Sequence, residues 1–471
     1  MSSSTKVLPL LAVLASVGCS DATSTSAPRA LEPTASNIIE RSIRTIEKYI
    51  AIGTSITMGW ASNGVYDGSQ KTAFPALLAF GTGQPFTLPL IAAPGCISPI
   101  VPPLGANKRL NGDPLSGGLV CAPNDPGVTL PAQDLGLAQA LAVNAVQTTP
   151  LDVAATQPWY LRVLPIGMTQ LTATLAQHPT IVSVELGGNE VLGSLSGLFA
   201  LGLTVVPLPF FTAPYDALLD GLAAGGNPKV ILAGLPEDGR HLAALRRGSE
   251  IWADRAEFAA LHVDVSTDCK ESPNYINVSQ LSLNMVFAGA SNAAHNLPNA
   301  IYSCTDVPGT QDFILTPTDI SALNGLMAQM NEHIRAQAKA RGYAFFSIGA
   351  LYDSPLQKLA PYSIVNQLTS PTPYSPFISL DGVHPSPLGS AVLATAAAVG
   401  YNLRYFGQGV GTHAAQADVR ESAPSLPLGD QLEEQQLPAA ALAQAKRFAA
   451  ENAGRKVSPC TMLGIGMTGC Q

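Results

Sequence analysis

Charge is scarce in this sequence: 25 Lys+Arg and 33 Asp+Glu make up only 12% of its 471 residues, against 46% hydrophobic residues. So little charge with so much apolar material excludes a disordered chain. The formal net charge is −8 and basic clusters are absent, which excludes nucleic acid as a partner. The 42 glycines and 38 prolines follow no fixed period, so collagen-like and repeat architectures are excluded as well. No Cys-x-x-Cys pair or Cys/His cluster is present to hold a metal, and no cofactor is expected. What remains is a packed globular protein with many Pro/Gly loops.

The N-terminal residues read as an export signal. Lys6 precedes the apolar run Val7–Ala15, which is too short for a permanent membrane helix. Ser16-Val17-Gly18-Cys19 resembles a bacterial lipobox, with Ser16 where Leu is usual; in such signals the cysteine is lipidated and becomes the mature N-terminus. Residues 1–18 are therefore expected to be a signal peptide, and 19–46 a lipidated Cys19 followed by a Ser/Thr/Ala/Pro-rich tether. That places the protein in a bacterial cell envelope, as an outer-membrane lipoprotein held through its N-terminal lipid; plain secretion is the alternative. Without Cys19, six cysteines remain. Six allow fifteen connectivities. Nearest-neighbour pairing, Cys96–Cys121, Cys269–Cys304 and Cys460–Cys470, brackets three loops rich in turn residues. Such bridges require an oxidising compartment; buried free thiols are the other reading.

Short apolar strands alternate with helical patterns. Lys48–Gly53, Thr180–Leu186, Lys229–Gly234 and Tyr343–Ile348 read as strands, and Pro85–Ala93 as a further one ending at Pro94-Gly95. Thr72–Phe80, Gly167–Gln177, Pro317–Arg341 and Ser386–Arg404 read as helices. Thr316 and Ser386 are placed to cap the last two, and Gly342 ends the longer. Residues 96–135 and 240–315 read as irregular insertions. The alternation predicts a three-layer α/β/α, flavodoxin-like, doubly wound parallel sheet with long loop insertions, spanning 47–410. Residues 411–471 read as a helical tail that Cys460 and Cys470 can close into a loop. In such sheets ligands bind beyond the carboxyl ends of the strands.

Those ends carry Gly53-Thr54-Ser55-Ile56 and Gly187-Gly188-Asn189-Glu190, and Asp381-Gly382-Val383-His384-Pro385 precedes the last helix. In this order the blocks resemble those of the SGNH hydrolases, or GDSL esterases/lipases, over about residues 47–406. Thr54 and Glu190 stand where that family usually has Asp. The resemblance implies a serine esterase or lipase without metal or cofactor: Ser55 as nucleophile, His384 as base, Asp381 as its orienting partner, and an oxyanion hole from the Ser55 and Gly95 N–H groups and the Asn189 amide. Small-molecule or lipid esters are the expected substrates. A carbohydrate acetyl esterase on the same fold and a catalytically degenerate surface-binding lipoprotein are the alternatives. The oligomeric state is left open. The uncharged stretch Val191–Phe211 is too rich in Gly and Pro for a membrane span; it reads either as buried core or as an apolar wall for an acyl chain. His178, His241, His262, His295, His333 and His413 lie in no comparable block and are expected to be structural or at the surface.

Overall fold

A computed structural model of the chain describes residues 48–81, 85–117, 120–148, 157–354 and 361–406. The expected signal, Cys19, the tether, the tail and the Cys460–Cys470 pair lie outside these residues. Five strands form one sheet: β1 (Tyr49–Gly53), β2 (Asp134–Gly136), β3 (Ile181–Glu185), β4 (Lys229–Gly234) and β5 (Ala344–Ser347). All pairings are parallel, and the spatial order is β2–β1–β3–β4–β5. This is the flavodoxin-like order. All five residues of β1 are buried, because helices cover both faces of a parallel sheet.

The pleat sorts β1 between two cores. Tyr49 and Ala51 face helices α1 (Phe74–Phe80) and α2 (Pro387–Tyr405), whose Phe74, Leu78, Leu393 and Ala397 are buried there. Ile50 and Ile52 face α3 (Leu208–Ala224) and α4 (Pro317–Arg341), whose Leu218, Leu222, Met330 and Ile334 fill the other side. Helix α4 begins and ends as its sequence dictates: the Asp319 N–H donates to the Thr316 hydroxyl at 3.2 Å, and Gly342 closes it in the left-handed region at φ 71°. Ser386 caps α2 in the same way through the Gly389 N–H.

Two expectations are corrected. Pro85–Ala93 is not a strand, since only Ile91 bridges to Asn124; Pro85 and Pro89 lack the N–H groups a ladder needs. The edge position beside β1 is filled instead by β2, at the end of the segment read as loop. Residues 240–315 are not irregular either. They hold the helix Leu281–Ala294, an antiparallel sheet of Leu245–Arg247, Tyr275–Asn277 and Ile314–Leu315, and a parallel pair, Val263–Val265 with Ala300–Tyr302. Phe258, Ile276, Leu283 and Val286 join the core under α1 and α2, so the insertion is an extension of the domain. Cys96–Cys121 and Cys269–Cys304 are disulfide-bonded.

Candidate active site

The chain switches direction across the sheet between β1 and β3, and the loops after these strands carry Ser55 and Asn189. Ser55 opens a single helical turn, Ser55–Met58, directly after β1. Gly53 permits the tight exit: a Cβ there would meet the Thr57 hydroxyl oxygen at 1.9 Å. The Ser55 Oγ lies 2.9 Å from Nε2 of His384, and His384 Nδ1 lies 3.0 Å from Asp381 Oδ2. Ser55, Asp381 and His384 are 6%, 3% and 4% exposed, so water competes little for these bonds. With Nδ1–H donating to the carboxylate, Nε2 is left to accept the serine proton.

Asp381 is held from several sides. Its Oδ1 accepts from the N–H groups of Val383 and His384 at 2.9 and 2.8 Å and from the Ser379 hydroxyl at 3.0 Å. Its Oδ2 also accepts from the Asn63 N–H at 3.1 Å. Burial works to raise this carboxyl, but the adjacent His384 imidazole and the surrounding donors outweigh it and hold it below the usual carboxylate range. Asn63 is anchored in turn by the fully buried Arg109, whose guanidinium donates to the carbonyls of Asn63, Ser98 and Leu115.

Asn189 follows Gly187 and Gly188 at the end of β3. Its Nδ2 donates one hydrogen to the Ala140 carbonyl at 2.8 Å, which fixes the amide beside Ser55 in the same cavity. Gly95, expected as an oxyanion donor, is not among the residues that line this cavity. Its N–H donates to the Ala92 carbonyl at 2.9 Å, and a Cβ there would meet the Val65 carbonyl at 2.5 Å. Gly95 (φ 108°) closes the turn Ala92–Gly95 that leads into the 96–121 loop. Leu137–Ala140 follows β2, where the Leu137 N–H donates to the Gly53 carbonyl at 3.0 Å. Gln139 there adopts φ 66°, unusual for a residue with a side chain.

One cavity, about 660 Å³ of space between atoms including its mouth, opens over Ser55 and His384. Its polar groups are few. Ile56, Val191, Leu192 and Leu195 line one part, and Leu235, Leu323, Met327 and Ile348 another. The stretch Val191–Phe211 thus divides: its first residues face the cavity, whereas Leu201, Leu203 and Phe210 are 60%, 62% and 70% exposed. The wall supplied by α4 and the end of β4 is not apparent in the sequence. Among the described residues His384 is the one histidine lining this cavity; His241 and His333 pair with Asp353 and Asp216 elsewhere. An open polar hollow lined by Thr267, Asp268, residues 270–274, Cys304 and Thr305 contains none of the residues predicted for the triad or the oxyanion hole. Among the described residues, no cluster of His, Cys, Asp and Glu could hold a metal ion.

Three carboxyls are buried in or just after β2 and β3. Burial pushes Asp134 and Glu190 up to about 7, against hydrogen bonds from the N–H groups of Gly136 and Ala142. Glu185, at the end of β3, is raised by burial against bonds from Thr54 and Thr57.

No family model matches this chain, and no curated protein does. Among solved structures it is similar to an acetyl xylan esterase from Geobacillus stearothermophilus, at 14% identity and TM-score 0.33 over 78% of this chain and all of that one. It is also similar to an extracellular lipase from Streptomyces rimosus, at 14% identity and TM-score 0.30 over 74% of this chain and 98% of that one.

Proposed function

We propose that the chain is a serine carboxylic-ester hydrolase of the SGNH type. The observation that carries this reading is the buried Ser55–His384–Asp381 relay at 2.9 and 3.0 Å, at the switch point of the sheet. A neutral hydroxyl is a weak nucleophile, and His384 Nε2 is positioned to take its proton as Oγ attacks the ester carbonyl. Asp381 stabilises the imidazolium and fixes its tautomer. The tetrahedral oxyanion is received by the Ser55 N–H, at the start of its helical turn, and by the Asn189 amide. His384 then returns the proton to the leaving alcohol, and water repeats the sequence to release the acid.

The apolar walls of Leu192, Leu195, Leu323 and Met327 favour an acyl chain over an acetyl group as the occupant. Export fits the two disulfides, which persist in oxidising compartments. Among the described residues no helix is long and apolar enough to cross a membrane, and a lipid on Cys19 is proposed as the tether. A panel of aryl esters of increasing acyl length tests the substrate class, with Ser55→Ala as control. Activity that rises from acetate to longer chains and vanishes in Ser55→Ala supports the reading; activity confined to acetate assigns an acetyl esterase instead.

A further inference from the structure

Glu185 ends β3 in register with Gly53 of β1, so its side chain stands beside the turn that carries Ser55. It is 2% exposed. Oε2 accepts from the Thr54 N–H and the Thr57 hydroxyl, each at 3.0 Å, and the Thr54 hydroxyl lies 2.9 Å from both carboxylate oxygens. Among the described residues all its hydrogen-bond partners lie on this one turn, immediately before Ser55 and two residues after it. A buried carboxyl without a cation costs free energy unless its lone pairs are satisfied. Here the donors that satisfy it are the backbone and hydroxyls flanking Ser55. Thr54 also stands where the SGNH blocks carry a carboxylate, so in this chain the carboxylate reaches the turn from the neighbouring strand.

We infer that Glu185 is a positioning residue for the nucleophile: it clamps Thr54 and Thr57 across the β1/β3 switch point, which holds Ser55 Oγ on His384 Nε2 and aims the Ser55 N–H into the cavity. The inference rests on the reading of Ser55 as nucleophile. Misplacement of a reacting group by about 1 Å can cost on the order of a hundredfold in rate, so loosening the clamp acts on turnover more than on binding.

The test uses the full chain and three variants: Glu185→Leu, which removes the carboxyl that accepts from the turn; Thr57→Val, which removes one hydroxyl at equal volume; and the two combined. Turnover and KM on a short aryl ester, the rate of fluorophosphonate labelling of Ser55 and the thermal midpoint are measured for each. Glu185→Leu should lower turnover and labelling rate by about tenfold or more with KM within about twofold. Thr57→Val should lose several-fold in turnover, and the double variant should lose less than the product of the single effects, because both act through one contact. Labelling of Glu185→Leu at the wild-type rate, or multiplicative losses in the double variant, overturns the inference. If Glu185→Leu does not fold, Thr57→Val decides alone: wild-type turnover there overturns it. Failure of wild-type Ser55 to label is a different outcome, and removes the nucleophile reading itself.

Discussion

Three side chains from two distant parts of the sequence must meet within hydrogen-bond distance for the proposed chemistry, and Ser55, Asp381 and His384 do so. Asp381 and His384 are legible because a three-residue offset on one turn puts both on the same side, with Gly382 in the left-handed region to close it. Replacing His384 by Ala should lower turnover by several orders of magnitude, with residual rate from the oxyanion donors alone. Asn189→Ala should cost about a hundredfold or more in turnover with little change in KM, since an oxyanion donor acts on charge that develops in the transition state. A change in KM alone would make Asn189 a binding residue. Glu185 was not legible: its place beside the Ser55 turn depends on β3 pairing with β1 in the register that sets it against Gly53. The buried carboxyls carry a pH signature. Asp134 sits at about 7 in the folded state against an ordinary value near 4, so it stays protonated after the unfolded chain has lost its proton. Its contribution is harmless below about pH 4 and becomes destabilising as pH rises towards 7, at about 1.4 kcal/mol per pH unit. Asp134→Asn should therefore gain stability over wild type as pH rises from 5 to 7. The measurement is urea unfolding at the two pH values; a constant difference would contradict the assignment.

At the scale of elements, long and strongly patterned segments were legible. Helix α4 runs from Pro317 to Arg341 as its cap, its apolar spacing and its closing glycine require. Strands β1, β3, β4 and β5 appear as apolar runs because helices cover both sheet faces. Strand β2 has only the three residues Asp134–Gly136, too few for a pattern, while the prolines at 85 and 89 lie in an apolar run that resembles a strand and cannot pair as one. The insertion at 240–315 was read as irregular because its strands have two or three residues each and its helix, Leu281–Ala294, has no charged residue to mark a solvent face. Helix α4 also supplies Leu323 and Met327 to the cavity wall. Met327→Trp should fill that wall and lower kcat/KM for octanoyl esters by about tenfold or more while changing acetyl esters by less than about threefold. An unchanged chain-length profile would place the acyl chain elsewhere.

At the scale of the whole molecule, the two disulfides among the described residues tie down segments outside the five-stranded sheet. Cys96–Cys121 encloses Arg109, which anchors Asn63 and through it the Asp381 carboxylate. Reduction should therefore lower turnover before the sheet unfolds, and each bridge should be worth about 2–4 kcal/mol of stability. Peptide mapping of the unreduced mature protein checks the pairing: linkage of Cys96 to Cys304, or free thiols at these positions, would contradict it. The central claim is that Ser55 is a nucleophile activated by His384, and covalent labelling tests it most directly. Incubated with a fluorophosphonate and mapped by mass spectrometry, the folded protein should carry one adduct, on the peptide containing Ser55. The adduct should be absent from Ser55→Ala and form far more slowly in His384→Ala. An unlabelled folded protein, or equal labelling in Ser55→Ala, would contradict the account.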